Sequence, residues 1–473
     1  MKKFYITTTL PYVNADPHIG FALEIIQADT VARHHQKNGD EVFFNTGTDE
    51  HGLKIYQKAL EEKKDPQDYV DEYAPRFDNL KQSLNLSYNA FIRTTDENHI
   101  KAAQEFWGLC EKAGDIYKKN YKVKYCVGCE LEKTESELVD GKCSLHPDKD
   151  LEFIEEENYF FKFSNYQDKL LSLYKKNPEF VVPSWRLNEI KTFVESGLED
   201  FSISRLKKKM PWGVGVPGDD DHVMYVWFDA LVNYISTIGW PQDMKKFKSY
   251  WPVAQVAGKD NLRQQSAMWQ AMLMSAGLTP SKQILIHGFI TSDGQKMSKS
   301  VGNVIDPIEL VEKYGTDATR YYLLAEFSPF EDGDFTIEKF EQKYNGDLAN
   351  GLGNVVSRVS NLLEQSDISI KIKQGSDKKL KKQVDSKMEE YKFNEALGVL
   401  WSVLRNADER LAESKPWEME DVKEKKKVLE PISQDILNVA DLLQSFMPET
   451  AEKIINQFTS PKIKKGEALF PRK

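Results

Sequence analysis

Five short runs rich in β-branched and aromatic residues constrain the fold more than any other feature: KFYITTT (3–9), EVFFNTGT (41–48), HVMYVWF (222–228), VAQVAG (253–258) and QILIHGF (283–289). Each ends in polar or glycine punctuation, and most are followed by a pattern of helical period. Strands alternating with helices predict an open parallel sheet covered by helices. Ligands of such sheets bind beyond the carboxyl ends of the strands. Those ends carry Asp49, His51, Trp227, Asp229, Gly258, Lys259, Asp260 and His287, a dense set of chemical groups for one edge.

The alternation stops near residue 114 and resumes at HVMYVWF, which predicts a domain inserted into the sheet domain. After about residue 335 three stretches, YNGDLANGLGNVVSRVSNLLEQ, FNEALGVLWSVLRNADERLAE and ISQDILNVADLLQSF, space their apolar residues three and four apart, as amphipathic helices do. The lysine-rich KIKQGSDKKLKK between the first two reads as a loop. The expected division is 1–113 sheet domain, first half; 114–222 insertion; 223–290 second half; 291–340 linking segment; 341–473 helical domain. At 473 residues the chain is too long for one ordinary core.

A mean hydropathy of -0.56 and 29% charged residues indicate a soluble globular chain, and no apolar run is long enough for a signal h-region or a membrane span. The net charge of -10 argues against nonspecific coating of nucleic acid, though not against a local basic groove. Three of the four cysteines lie close together, a pattern of metal binding in a reducing cytosol.

Three motifs carry chemistry. In TTLPYVNADPHIGFALE, Asp16 suits an N-cap and Pro17 the first helical position, so a helix is expected from His18, with Gly20 leaving room for a nucleotide. A strand feeding a helix N-terminus favours phosphate, because free N–H groups and the helix dipole point at it. Alone, the motif fits a capped core helix better. The second motif is Lys296-Met297-Ser298-Lys299-Ser300, whose lysines and small residues suit a mobile cation clamp on a departing pyrophosphate. The third is CVGCELEKTESELVDGKCSLH: Cys126 and Cys129, a 13-residue spacer, then Cys143 and His146. These four ligands predict a closed Cys3His zinc site, structural because no position remains for water.

Together with NTGTDEHG, EENYFF, YVWFDAL, GKD and LANGLGNVVSR, these motifs resemble the class I aminoacyl-tRNA synthetases, and within them the methionyl-tRNA synthetase family, over essentially the whole chain. The resemblance implies an α/β fold: a Rossmann-like parallel-sheet catalytic domain, an inserted zinc-containing domain and a C-terminal all-α anticodon-binding bundle. It implies activation of methionine with ATP and transfer to the 3' end of tRNA(Met), initiator and elongator, with Mg2+ accompanying ATP and one structural zinc per chain. Carried over by position, His18, Lys296 and Lys299 are catalytic, and ATP contacts fall on His18, Gly20, Glu24, Gly258, Asp260, Lys296, Ser298 and Lys299. Methionine would be held by Leu10, Pro11, Tyr12, Asp49, Trp227, Ala230, Leu231, Tyr234, His287 and Ile290. The chemistry agrees, since a strand-end carboxylate can hold an α-ammonium and an aromatic cluster a polarizable thioether; the same aromatics also suit a core. Anticodon bases would be read by Asn354, Arg358 and Trp417.

Phe21 and Gln265 stand where the family usually has histidines, and Asp408 and Arg410 where it more often shows Asn and Tyr. The intact lysine–serine loop, Asp49, Trp227 and the zinc ligands argue for a working enzyme all the same. A cytoplasmic monomer without membrane attachment is expected, since no further domain follows the bundle.

Overall fold

A computed structural model of the chain describes residues 1–473, except residues 130, 134–137, 296, 298–301 and 374 and except the side chains of residues 121, 123, 131, 132 and 154. The chain forms two compact units. Met1–Pro17, Glu41–Asn79 and Tyr88–Ile286 make the first, and His18–Asp40, Leu80–Ser87 and His287–Lys473 the second.

The first unit is built on a six-stranded sheet of β1 (Lys3–Thr7), β2 (Glu41–Thr48), β3 (Ala90–Arg93), β4 (Val181–Val182), β5 (Ala254–Gly258) and β6 (Gln283–His287), in the order β3–β2–β1–β5–β6–β4. The described pairings of β1 with β2 and β5, β2 with β3, and β6 with β4 are parallel. All of β5 and all but the first residue of β1 are buried, as parallel strands covered on both faces require. Two strands, AFIR and VV, are too short to be read from the sequence. HVMYVWF is not a strand of this parallel sheet: its first three residues end a strand, Asp219–Met224, of a small antiparallel sheet, and Val226–Ala230 is a helical turn carrying Trp227 and Asp229. A run this uniformly apolar has no period to separate strand from helix.

The segment expected as an insertion starts with a long antiparallel ribbon, Ile116–Cys126 against Glu152–Phe161, in register from Ile116↔Phe161 to Tyr125↔Glu152. Its later part does not have a core of its own. Phe161, Tyr166, Leu170, Tyr174 and Phe180 are buried in one cluster with Phe106, Trp107, Phe228, Trp269 and Ile284, and Val181 pairs with Ile284 in the sheet.

The second unit contains α1 (Ile19–Lys37) and the C-terminal helices Asn354–Gln365, Lys378–Glu389, Phe393–Ser414, Val422–Leu443 and Pro448–Phe458. Part of the lysine-rich stretch read as a loop is helical. Asp377 caps it by accepting from the N–H groups of Lys379 and Leu380, and Leu380, Val384 and Met388 form a buried stripe four residues apart. α1 is held in this unit by a buried charge. Asp29 Oδ2 lies 2.7 Å from Arg320 Nη2, and Arg320 also donates to the carbonyls of Leu84 (3.0 Å) and Phe446 (2.8 Å). Burial pushes the Asp29 carboxyl up, but Arg320 and Arg33 outweigh it and hold its pKa below the ordinary value. Among the described residues no helix is long and apolar enough to cross a membrane.

Candidate active site

The carboxyl end of β2 collects the amino-acid candidates of the first unit. Asp49 is buried and forms an isolated parallel bridge with Tyr12; its N–H donates to Pro11 O at 3.0 Å. The Tyr12 ring meets Trp227 edge-on, with centroids 6.4 Å apart, beside Tyr125, Tyr225 and Val226. Leu10 and Pro11 are half-buried in the same stretch. Two ties join the strand end to the Trp227 segment. Asn45 donates to Asn233 Oδ1 at 3.2 Å, and Asp229, fully buried, sits 3.1 Å from His51 Nδ1 and 3.5 Å from His99 Nε2. Burial favours the neutral Asp229 carboxyl, yet the two imidazoles outweigh that and lower its pKa. Ala230 and Leu231 close the helical turn, and Tyr234 follows in Asn233–Ser236, its ring edge-on to Trp269. Gly258 ends β5, and Asp260 lies in the short turn Lys259–Asn261 after it.

The second unit holds the remaining candidates. α1 starts at Ile19, not His18, and neither Asp16 nor Pro17 begins it: Asp16 pairs with Arg76 at 2.6 Å. His18 is itself the N-cap, with extended backbone and its ring nitrogen Nδ1 accepting from Gly20 N–H at 3.0 Å. A Cβ on Gly20 would come within 2.8 Å of the His18 ring, so this glycine makes room for the capping imidazole. With Nδ1 used as acceptor, the neutral ring carries its hydrogen on Nε2. Although His18 is solvent-exposed, desolvation by the surrounding protein lowers its pKa and so favours the neutral form. Glu24, buried on α1, lies 2.9 Å from His287 Nε2, while His287 Nδ1 is 2.7 Å from Gly288 O. Both ring nitrogens of His287 therefore face acceptors, an arrangement that requires the imidazolium or a proton shared with Glu24. Ile290 begins a short strand paired with Gly333–Phe335. Lys296, Ser298 and Lys299 lie outside the described residues.

At the tip of the ribbon the ligand atoms of Cys126, Cys129, Cys143 and His146 all lie within 4.8 Å of one another, so the four can hold a metal ion. His146 Nδ1 is 3.2 Å from Cys129 Sγ and 3.8 Å from Cys126 Sγ. Tetrahedral ligands on a zinc ion stand about 3.5–4 Å apart, given bonds of about 2.0–2.3 Å. Gly128 belongs to the fit: a Cβ there would approach the His146 ring to 2.5 Å.

In the helical region Arg358 and Trp417 come together, the guanidinium 5.4 Å from the indole centroid, and Trp417 is 46% exposed. Asn354 sits one turn before Arg358 at the start of its helix. The two departures noted above are ion pairs: Asp408 binds Arg358 at 2.6 Å, and Arg410 binds Asp435.

The family model for class I tRNA synthetases (M) matches residues 4–144 and 127–360. The methionine–tRNA ligase of Brucella melitensis is 41% identical over 97% of this chain and 92% of its own length, and that of Thermotoga maritima 40% identical over 96% and 75%. The chain belongs to the methionyl-tRNA synthetase family. A solved family structure, the Mycobacterium tuberculosis methionyl-tRNA synthetase in complex with methionyl-adenylate, superimposes with a TM-score of 0.93 at 36% identity, covering all of both chains. The sequence motifs did not reveal the residues that hold the candidate side chains, such as His99 and Asn45. A histidine on the buried stripe of Glu97–Lys112 was the one available signal for His99.

Proposed function

We propose that this chain is a methionine–tRNA ligase in which Asp49 binds the α-ammonium of methionine and Tyr12, Trp227 and Tyr234 surround its side chain, with Leu10, Pro11, Ala230, Leu231, His287 and Ile290 completing the site. The methionine carboxylate attacks the α-phosphorus of ATP in line. The bond to the bridging oxygen breaks, pyrophosphate leaves, and methionyl-adenylate forms. No side-chain nucleophile takes part, so positioning and charge stabilisation do the work. A neutral His18 offers its Nε2–H to a phosphate oxygen, and the N-terminal N–H groups of α1 add the favourable end of its dipole. Gly20, Glu24, Gly258 and Asp260 hold the nucleotide, Lys296, Ser298 and Lys299 neutralise the leaving pyrophosphate, and Mg2+ arriving with ATP would supply further positive charge for its phosphates. A terminal ribose hydroxyl of tRNA(Met), initiator or elongator, then attacks the methionyl carbonyl, and AMP departs. Zinc on Cys126, Cys129, Cys143 and His146 is structural, one per chain. Asn354, Arg358 and Trp417 read the anticodon, with the five segments bounded at 113, 222, 290 and 340 as functional modules of a cytoplasmic monomer.

The observation that carries the amino-acid assignment is the buried Asp49, whose backbone forms a parallel bridge with that of Tyr12, whose ring in turn meets Trp227. ATP–pyrophosphate exchange across the amino acids tests it. Methionine alone is expected to stimulate exchange and to be charged onto tRNA(Met). Stimulation by another amino acid instead, or tRNA binding with no adenylate formed, overturns the assignment.

A further inference from the structure

We propose that His51 is a positioning residue for amino-acid selection: through one hydrogen bond to Asp229 it fixes how far the Trp227 turn stands from Asp49, and so sets the length of side chain the site accepts. The inference rests on the reading of Asp49 and Trp227 as the two ends of the methionine site.

The two ends sit on different elements, and only one of them is secured by its own backbone. Beyond β2 the Asp49 N–H donates to Pro11 O at 3.0 Å and the Glu50 N–H to Thr94 Oγ1 at 2.9 Å. The buried Glu50 carboxylate accepts from Thr48 Oγ1 at 2.7 Å and lies 2.6 Å from Arg93 Nε, while Trp212 Nε1 donates to Glu50 O at 2.6 Å. The turn Val226–Ala230 is different. It has five residues and no side-chain hydrogen bond caps it, and so short a helix does not hold itself. Its place is given by what its side chains touch.

Phe228 enters the core against Phe106 and Trp107, with centroid distances of 5.8 and 5.1 Å. Asp229 faces His51 Nδ1 at 3.1 Å, and Trp227, the one residue of the turn that is not buried, meets the Tyr12 ring. Helical residues two apart point to nearly opposite sides, so Asp229 holds from behind the turn that presents Trp227 in front. The path between the ends is symmetric: two residues from Asp49 to His51, one hydrogen bond, and two residues from Asp229 to Trp227. The Asn45–Asn233 bond lies beyond the end of the turn.

The bond is a strong one. Burial favours the neutral acid, but the His51 and His99 imidazoles keep the Asp229 carboxyl below its ordinary pKa. An ionised carboxylate only accepts, so the hydrogen lies on His51 Nδ1, in a charge-assisted bond between two buried side chains. Behind the carboxylate, His99 Nε2 stands at 3.5 Å and His99 Nδ1 is 3.1 Å from Ser236 Oγ, so the helix Glu97–Lys112 backs the same side.

The His51 ring also packs edge-on to Trp212, with centroids 5.5 Å apart, and substitution separates that packing from the bond. His51→Phe keeps a ring and loses the donor; His51→Asn loses the ring and keeps an N–H near the place of Nδ1. In ATP–pyrophosphate exchange His51→Phe is expected to raise the KM for methionine about tenfold and leave the KM for ATP within about twofold. It should also cut the preference for methionine over ethionine, which is one methylene longer, by about tenfold, because an untied turn yields to the extra length. His51→Asn should stay within about threefold of the parent in all three quantities. Asp229→Asn keeps the shape of the turn and an acceptor but removes the charge from the bond. It should shift the same ratio in the same direction by about threefold, and it carries the comparison if His51→Phe fails to fold. A His51→Asn enzyme as impaired as His51→Phe overturns the inference by placing the role in the ring. An equal rise in both KM values, or an unchanged methionine-to-ethionine ratio, overturns it too, whereas a parent protein that shows no exchange with methionine sinks the functional assignment and the inference with it.

Discussion

His18 both caps α1 and presents its remaining nitrogen, and this double use distinguishes it from its neighbour Phe21, one turn further on the same helix. Replacing His18 by Ala removes a cap and a donor to phosphate, and kcat/KM for ATP should fall by about one to two orders of magnitude, matching about 1.5–3 kcal/mol for a hydrogen bond to a charged group. Phe21→Ala removes only apolar surface and should cost much less; equal losses in the two adenylation assays would refute the assignment. His34, at the other end of α1, makes a pH prediction. Burial lowers its pKa to about 4, and His35, Lys381 and Lys37 push the same way against Asp385. Above the ordinary histidine pKa the folded and unfolded chains are both neutral at this position, so it contributes nothing to the pH dependence there. As pH falls through 6.5 the unfolded chain takes up the proton first, so stability drops towards pH 4 and levels off below it. The full effect is about 3 kcal/mol. His34→Gln should lose less stability than the parent between pH 7 and pH 4 in denaturant unfolding; parallel curves would show that the ring is not buried in its neutral form.

Among elements, α1 and the ribbon tip are the two whose attachment can be tested directly. Breaking a buried ion pair by removing one partner costs about 3–5 kcal/mol, because the other charge is stranded. Because Asp29 keeps Arg33 at 2.7 Å, Arg320→Met is expected to lower unfolding stability by up to about that amount, and Asp29→Leu/Arg320→Met to recover part of it; a single variant as stable as the parent would mean that the charge does not hold α1. At the ribbon tip, where a bound metal would supply the folding free energy that a small knuckle lacks, a chelator should lower the melting temperature, and Gly128→Ala should reduce the zinc retained per chain in metal analysis, because its Cβ meets the His146 ring. Full zinc occupancy in that variant would show that the close approach is unnecessary. The ligand set was legible beforehand, since four ligating residues at fixed spacing state their chemistry locally. The need for Gly128 was not, because it arises from His146 folding back over it. Asp377 and the Leu380–Met388 stripe were readable in principle, but four lysines hid a helix in what looked like a loop.

At the scale of the molecule, the proposed assignment gives adenylation and the reading of tRNA to separate sets of residues. Arg358→Ala should accordingly raise the KM for tRNA(Met) about tenfold or more while ATP–pyrophosphate exchange stays unchanged, as the loss of about 1–3 kcal/mol of stacking and charge at an unstacked base predicts. A matching fall in exchange would place Arg358 in the folding of the catalytic machinery instead. By itself, the sequence determined the fold class, the four residues that can hold a metal ion and the family, because each is written in short-range spacing: strand punctuation, Cys-x2-Cys, a helix start after a strand. Only the tertiary structure decided that Trp227 and Asp229 ride on a helical turn, that the later part of the insertion shares the sheet's core, that Asp408 and Arg410 are ion-pair partners, and that His51 and Asp229 join the strand end to that turn. These depend on residues far apart in the chain meeting in three dimensions, which no local pattern marks.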